Sequence, residues 1–288
     1  MRLRANRGQG SGFQIPALGA SFCIVLIPAV LTFLAAFTDW DGLSPPRWVG
    51  LDNFRELADD RSFWHALTNN IQWMVIFLTI PMGIALVASA ILRENSRRNA
   101  AFQTIFLLPY VISPVANALV WQNIMLDPVA GLAAFVRRHF FSFPDPLSTP
   151  SIALYTVAGV DVWHFWGYLA VVFTAAMRQI PSSQLEAAEI EGASGWQIFR
   201  FVTIPGIMPT IRLMFVITTI FSFLTFDYIY LMTAGGPGRS TEMLSTYAYA
   251  LAFSTFEVGK AAAISLVMGF FGLLASLIYV RMSVGERR

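Results

Sequence analysis

The sequence predicts an all-α polytopic membrane protein, and three observations support this prediction. Of its 288 residues, 56% are hydrophobic and 12% are charged, whereas a soluble domain carries about 25% charged residues. The apolar residues fall into six runs, each close to the roughly 20 residues that a helix needs to cross a bilayer. Most charged residues lie between the runs. The six transmembrane helices are predicted at about 14–37, 69–92, 102–124, 152–176, 207–232 and 259–281.

The segments between these runs give the domain organisation. No small-residue cleavage site closes the first run, so we interpret it as a retained transmembrane helix and not as a signal peptide. The other five runs form one core. The predicted segments are a tail at 1–13, the first helix at 14–37, an external loop at 38–65, the core at 66–281 with a polar loop at 177–206, and a second tail at 282–288.

Basic residues indicate which side of the membrane each segment faces, because cytoplasmic loops carry an excess of Lys and Arg. Taken together, the two tails and the loops at 93–101 and 177–206 contain more basic than acidic residues. The segments on the other side contain more acidic than basic residues. We therefore predict that both termini and the polar loop lie in the cytoplasm.

The polar loop has the pattern of two short helices. Ser183 followed by Glu186 has the spacing of a capping box, in which each side chain bonds a free backbone N–H at a helix start. Gly192 would end this helix, because glycine adopts the left-handed conformation of a helix terminus without strain. Ser194 with Gln197 repeats the capping pattern and predicts a second helix.

A proline predicts where the second of these helices ends. Pro205 disfavours the helical conformation of the residue before it, so the helix is expected to stop near Ile204. The loop is then helix, glycine break and helix, held at a membrane face. Spacing alone is equally consistent with an ordinary amphipathic loop between two transmembrane helices.

The polar loop also resembles the EAA motif of the permease subunits of ABC importers. The family pattern is Glu-Ala-Ala, three residues, Gly, nine residues and Ile-x-Leu-Pro, from which Val202 and Ile204 are conservative departures. The resemblance implies a coupling helix that docks into a groove on a separate ATPase subunit. The coupling residues that it implies are Glu186, Ala187, Ala188, Gly192, Ile204 and Pro205.

Other parts of the chain resemble the sugar permeases of the MalF and UgpA group. The resemblance covers about residues 49–280. It implies the six-helix fold of type I ABC importer permeases. The strings that carry it are 49–54 with 60–67, 106–121 and 225–237.

Local patterns add detail to three of the helices. The end of the first external loop predicts an amphipathic helix that lies on the membrane, with Phe63 and Trp64 as interfacial anchors. Pro81 predicts a kink in the second transmembrane helix. Pro109 and Pro114 predict a break or bend in the first half of the third.

Several polar and aromatic residues at membrane depth are candidates for lining a solute pathway. A carboxylate at the centre of a span costs about 2.5–3.5 kcal/mol on insertion scales and commonly faces a cavity. Asp227 also matches the family string, and tyrosines next to a carboxylate suit a polyol, whose hydroxyls donate to the acid. The candidates are Asn117, Trp121, Asp161, His164, Asp227, Tyr228 and Tyr230.

These residues also have structural interpretations. Asn117 would form a hydrogen bond between helices, and Trp163 would belong to an interfacial aromatic belt. Asp227 would tie the fifth helix to a neighbouring helix. The residues alone leave both interpretations open.

The sequence lacks the motifs of ATP binding and catalysis. There is no G-x-x-x-x-G-K-[ST] loop around Lys260, the only lysine, and there is no Ser/His/Asp set, G-x-S-x-G or H-E-x-x-H. The three histidines have no metal-ligand spacing. We predict a chain that is not an enzyme and binds no metal or cofactor. The resemblance implies that ATP and Mg²⁺ are used by a partner ATPase.

The resemblance implies a set of partners in a bacterial inner membrane. They are a second, MalG-like permease, two cytoplasmic ATPase subunits and an external solute-binding protein, for which the loop at 125–151 is a candidate contact. The basic tail precedes a span directly and is interpreted as a membrane anchor, not as a nucleic-acid patch. The implied solute is a sugar, oligosaccharide, polyol or glycerol phosphate, and the acids at membrane depth favour a neutral one.

One alternative from another class of protein stays open. In an ion-coupled secondary carrier, Asp161 and Asp227 would be the titrating pair. This hypothesis explains the acids within apolar runs. It does not explain the pattern of the polar loop.

Overall fold

The structure is a computed structural model that describes residue 16, residues 19–94 and residues 96–285, with side chains as far as Arg281. The described residues form two compact units. The smaller unit contains the described residues up to Asp60 together with Ala248–Val267. The larger unit contains Arg61–Tyr247 and the described residues from Met268 onwards.

The smaller unit combines apolar helix with a short two-stranded sheet. Strands β1 and β2 are antiparallel, with Thr38 opposite Trp48. Parts of two helices, α12 (Leu244–Phe253) and α13 (Val258–Gly285), belong to this unit and the rest to the other. The elements before Asp60 are α1 (Gly19–Ala35), which includes a π-helical turn (Phe22–Leu26), β1 (Thr38–Asp39), β2 (Arg47–Trp48) and α2 (Asp52–Asp59).

A buried asparagine holds the smaller unit together. The amide of Asn53 donates to the carbonyls of Ala36 (2.9 Å) and Thr38 (3.0 Å), which lie beyond the end of α1. Gly259 approaches the same chain closely, since a Cβ built on it would lie 2.0 Å from the Thr38 carbonyl oxygen. The Lys260 ammonium lies between the carboxylates of Glu56 (2.7 Å) and Glu257 (2.5 Å).

The larger unit is a helical bundle with helix α7 at its centre. Helix α7 packs against α3, α4, α5, α10 and α11. One π-helical turn, Trp121–Met125, forms the end of α5, and another, Phe199–Thr203, follows α9. The helices are α3 (Arg61–Leu92), α4 (Arg97–Val111), α5 (Pro114–Met125), α6 (Leu132–His139), α7 (Pro150–Met177), α8 (Ser182–Ile190), α9 (Gly195–Ile198), α10 (Met208–Leu224), α11 (Asp227–Met232), α12 (Leu244–Phe253) and α13 (Val258–Gly285).

The all-α membrane prediction is confirmed, whereas the number of six spans is not. Within the described residues, four helical segments are long and apolar enough to cross a membrane, and the pair α4 and α5, bent by 88°, would make a fifth. Helix α1 is apolar but shorter, and part of the predicted first span lies outside the described residues. The four long segments are Arg61–Leu92, Pro150–Met177, Met208–Met232 and Val258–Arg281.

One prediction about the segment before the second transmembrane helix is wrong. The predicted surface helix around Phe63 and Trp64 is the first part of α3, because no residue breaks the helix before the apolar run. Phe63 is buried in the protein, while Trp64 is exposed. Pro81 lies inside α3 without ending it, as membrane bundles allow when neighbouring groups satisfy the freed carbonyl, and the kink at Pro81 stays a prediction.

Close contact between helices fixes the position of α4 on α7. A Cβ built on Gly167 would lie 1.7 Å from the carbonyl oxygen of Phe106. Only glycine therefore permits this approach of the two backbones, as small residues commonly do between membrane helices. Three residues further along α7, the Ala170 carbonyl accepts from the Ser89 hydroxyl of α3 over 2.9 Å. Helix α7 therefore contacts both α3 and α4 closely.

Candidate functional site: a cavity between two broken helices, and the polar loop

The predicted break in the third helix is present between α4 and α5. Pro114 has no N–H and disfavours a helical Ser113, and the Ser113 hydroxyl instead caps α5 by accepting from the N–H of Ala116 (3.2 Å). Nε2 of His164 on α7 donates to the carbonyl of Ile112 over 3.0 Å. The break is thus stabilised from both sides, with its freed carbonyl paired.

A second break, which the sequence did not predict, separates α10 from α11. The Asn70 amide donates to the Ser222 carbonyl (3.0 Å) and accepts from the N–H of Leu244 (2.8 Å). The hydroxyl of Ser245 donates to the carbonyl of Thr225. Backbone groups released at membrane depth must find partners within the protein. Asn70 and Ser245 provide them here.

The two breaks border one cavity of about 370 Å³. It contains four of the seven predicted pathway residues. A fifth, Asn117, lies behind the wall and donates to the Tyr228 hydroxyl over 2.9 Å. The polar and tyrosine side chains of the lining are Tyr110, Asp161, His164, Thr218, Ser222, Thr225, Asp227 and Tyr228, and aromatic and aliphatic side chains complete it.

The cavity is acidic, and two hydrogen-bond donors of its lining residues have no partner. Asp161 and Asp227 both line it, and none of the described residues in its lining is lysine or arginine. Nδ1 of His164 lies 3.9 Å from the Asp161 carboxylate. The indole N–H of Trp73 and the hydroxyl of Thr218 belong to fully buried side chains and have no hydrogen-bond partner. The lining therefore offers acceptors to a hydroxylated molecule, while the two unpaired donors are buried in the protein.

Two of the pathway candidates lie outside the cavity lining. Trp121 packs edge to face on Trp163, with ring centroids 5.5 Å apart. Tyr230 stacks on Phe226 at 4.9 Å and is exposed. Their role in a pathway stays a prediction. The interfacial position of Trp163 also stays a prediction.

The structure also identifies cavity residues that the sequence did not single out. Trp73 lies in an apolar run of α3, and its unpaired N–H is apparent only in the folded structure. Thr218 and Ser222 are spaced four apart in an apolar run, and this spacing is the signal that could have indicated one polar helix face. Asn70 is an amide at the start of an apolar run, and this position could also have indicated a polar contact within the bundle.

The polar loop begins as predicted with a helix that ends at glycine. Gly192 has a φ of +83°, a conformation that strains other residues. Its N–H donates to the carbonyl of Glu189 (3.0 Å), and that of Ala193 donates to Ala188 (3.0 Å). These two bonds form a Schellman motif at the end of α8. The role predicted for Gly192 in the helix exit is confirmed.

One of the two predicted capping boxes is present. The Ser194 hydroxyl accepts from the N–H of Gln197 (3.4 Å), and the Gln197 side chain accepts from the N–H of Ser194 (2.7 Å). The box predicted at Ser183 is wrong, because α8 already begins at Ser182, after Pro181. Ser183 is therefore inside the first turn and has no capping position to occupy.

The second helix ends near Ile204 as predicted, but Pro205 does not end it. Helical structure continues from α9 through the π turn Phe199–Thr203 to Gly206. The wider π turn comes directly before Pro205, which then starts a new turn, where a missing N–H is tolerated. The chain breaks afterwards at Ile207, and α10 begins at Met208.

The polar loop exposes large apolar side chains. Ile190, Trp196 and Phe201 are largely exposed, and the Glu186 and Ala187 side chains also face outward. Apolar side chains in such positions are typical of a surface that contacts another protein. Helix α8 follows α7 after four residues, and α9 leads into α10. The loop is therefore linked covalently to the helices that carry Asp161 and Thr218.

Most of the chain matches a family of transport proteins. Residues 79–283 match the family model described as the inner membrane component of binding-protein-dependent transport systems. This match covers more than half of the chain.

Two relatives match most of their own length. A probable permease protein for the transport of starch degradation products, AmyD of Thermoanaerobacterium thermosulfurigenes, is 31% identical over 277 residues, covering 96% of this chain and 93% of the relative. The sn-glycerol-3-phosphate transport system permease protein UgpA of Agrobacterium fabrum is 30% identical over 228 residues, covering 79% of this chain and 77% of the relative.

A solved structure shares the fold. It is a chain of a bacterial alginate ABC transporter in complex with a periplasmic protein that holds an alginate pentasaccharide. The two chains superpose with a TM-score of 0.82 at 23% identity, over 95% of this chain and 93% of the other. The fold is that of type I ABC transporter permeases.

Proposed function

Because the chain belongs to the inner membrane components of binding-protein-dependent transport systems, as a multi-pass permease of the sugar ABC transporter type, we propose that it imports a carbohydrate together with a second, MalG-like permease. Two ATPase subunits would bind on the cytoplasmic side. These subunits would bind ATP and Mg²⁺, whereas this chain would bind neither ATP nor Mg²⁺. Both of its termini would lie in the cytoplasm.

The observation that carries this proposal is the cavity between the two broken helices. Its carboxylates at Asp161 and Asp227 can accept from solute hydroxyls. Its aromatic walls suit the C–H faces of a sugar. Because its described lining contains no cationic side chain, the cavity favours a neutral carbohydrate over a phosphate ester such as the solute named for UgpA.

The polar loop supports coupling to an ATPase. Ala187 and the exposed Ile190 and Trp196 give a small and apolar surface that can enter a groove, while Gly192 sets the angle between its two helices. When ATP binding closes the ATPases, movement of the loop would be passed to α7 and α10, which are continuous with it. The cavity walls would then change their relative position.

Import can be described by two arrangements of the helices that differ in which side of the membrane the cavity opens to. ATP favours one arrangement of the helices, with the cavity open to the outside, and the loaded binding protein favours the same arrangement from the other side. A solute released into the cavity would be carried inwards when ATP hydrolysis restores the first arrangement. Each partner acts through its higher affinity for one of the two states.

Uptake into proteoliposomes tests the proposal. The chain, the subunits that co-purify with it and the binding protein would be reconstituted with radiolabelled maltotriose as a neutral probe and glycerol 3-phosphate as an anionic probe. We expect ATP-dependent uptake of the neutral probe that an uncoupler does not affect and that Asp161→Asn and Asp227→Asn reduce. Thr79→Val is a matched control, because that exposed hydroxyl bonds only its own helix.

The cavity also gives the carrier hypothesis its one supporting observation, since Asp161 and Asp227 line the same space. An ion-coupled carrier would transport as the purified chain alone. Its uptake would be insensitive to ATP and abolished by the uncoupler. That pair of results would replace the ABC importer proposal.

A further inference from the structure

A short helix exposes its apolar side chains at the end of the broken span. Helix α6 follows α5 after six residues. Its outward face consists of Leu132 and Phe135, each 51% exposed, and continues into Phe140 (68%) and Phe141 (67%). In water, this arrangement would leave a contiguous apolar surface on an eight-residue helix without a partner.

Both arginines of the same helix bond carbonyls of the preceding loop, although Arg138 is exposed. The Arg137 guanidinium donates to the carbonyl of Pro128 (2.9 Å) and lies 3.8 Å from the Asp145 carboxylate. The Arg138 guanidinium donates to the carbonyl of Val129 (2.9 Å). A helix in an aqueous loop normally places its apolar side chains inward and its charges outward. Helix α6 instead exposes Leu132 and Phe135 on the same helix as the exposed Arg138.

The surface next to α6 indicates which environment it meets. Helix α6 packs against the end of α5. The last part of α5 exposes Leu119, Val120 and Ile124, and the connection to α6 exposes Val129. The outward face of α6 thus continues the exposed apolar surface of a broken span, and lipid surrounds such a surface. With eight residues, α6 is about 12 Å long, which is too short to cross the hydrocarbon core.

We propose that α6 is an interfacial helix, which lies in the plane of the membrane at the boundary between head groups and acyl chains. Its outward face enters the acyl region of the leaflet at which α5 ends. Short amphipathic helices with aromatic residues bind membranes in this way. For this part of the loop at 125–151, lipid then replaces the soluble partner that the sequence suggested. The inference does not depend on the identity of the solute.

Site-directed spin labelling tests this location in the full chain, reconstituted into phospholipid nanodiscs with the subunits that co-purify with it. Cys23→Ser removes the only cysteine, and labels are then placed singly at Phe135→Cys, Phe140→Cys and Phe141→Cys. Val87→Cys on α3 is the reference for lipid, since Val87 is exposed within a long apolar helix. Ser44→Cys in an exposed turn is the reference for water.

The collision rates of each label with oxygen and with a water-soluble nickel chelate give its environment. We expect a ratio of oxygen to nickel accessibility several-fold above that at Ser44 and approaching that at Val87, for all three labels, with and without a binding protein. Ratios equal to that at Ser44 would place the face in water and overturn the proposal. Low collision rates with both reagents would show that protein covers the face, which also overturns it.

Discussion

The amide of Asn117 donates to the hydroxyl of Tyr228 over 2.9 Å and joins the second half of one broken span to the second half of another. Asn117 lies on α5, after the Pro114 break, and Tyr228 lies on α11, after the break that follows Leu224. Both side chains are buried. The bond therefore connects the two segments that flank the cavity.

A double-mutant cycle measures this connection. Hydrogen bonds between membrane helices average about 0.6 kcal/mol, so we expect a coupling free energy of that size between Asn117→Ala and Tyr228→Phe. Each single variant should lower the free energy of unfolding, because it leaves a buried polar group without a partner. The measurement is reversible unfolding of the purified chain in mixed micelles. Additive single effects would mean that the two side chains do not interact.

The contact between α4 and α7 gives a matched pair of glycine substitutions. Gly167→Ala would place a methyl group against the Phe106 carbonyl and should reduce the free energy of unfolding by about 1–3 kcal/mol, as overpacking does. Gly159→Ala on the same helix meets nothing within 4 Å. It should be neutral or stabilising by up to about 1 kcal/mol, since alanine favours helix. Equal effects of the two substitutions would contradict the close approach of the helices.

The break between α10 and α11 depends on Asn70. Replacing this fully buried residue by leucine removes both bonds and leaves the Ser222 carbonyl and the Leu244 N–H without partners. We expect a loss of about 1–3 kcal/mol in the free energy of unfolding for each group left unpaired, together with reduced uptake. Thr79→Val, on the exposed side of the same helix, should change neither quantity. Unchanged stability of Asn70→Leu would show that the break forms without the amide.

The sequence was informative where a break has a local cause. Pro114 predicts the bend after α4 because a proline cannot continue the backbone hydrogen bonds. The break after Leu224 contains no proline or glycine and is stabilised by Asn70 and Ser245, which are remote in sequence. No local pattern could have predicted it.

The same distinction applies to the candidate sites. Asp161 and Asp227 are conspicuous as acids within apolar runs, and their common cavity agrees with the candidate pathway. The unpaired donors of Trp73 and Thr218 depend on which groups surround them in the folded chain. In the polar loop, α8 ends at Gly192 because this one residue adopts a positive φ without strain. The π turn before Pro205 involves several residues, and no single residue indicates it.

The polar loop provides the test of coupling. Gly192→Ala forces a side chain into a left-handed conformation, which costs about 1–2 kcal/mol, and Gly192→Asp adds a charge. We expect Gly192→Asp to abolish uptake while the protein remains in the membrane, and Gly192→Ala to reduce uptake. Gly195→Ala is the control, since a Cβ at either glycine meets nothing within 4 Å and Gly195 has no positive φ. Normal uptake by Gly192→Asp would contradict the coupling role.

The most direct measurement for the importer as a whole is purification of the tagged chain in mild detergent, with its partners identified by mass spectrometry. The importer proposal predicts recovery of a P-loop ATPase and a second permease. It further predicts that the ATPase is lost from the Gly192→Asp preparation and retained with Gly195→Ala. Recovery of the chain alone, as a stable monomer or homodimer, would contradict the proposal and favour the ion-coupled carrier with Asp161 and Asp227.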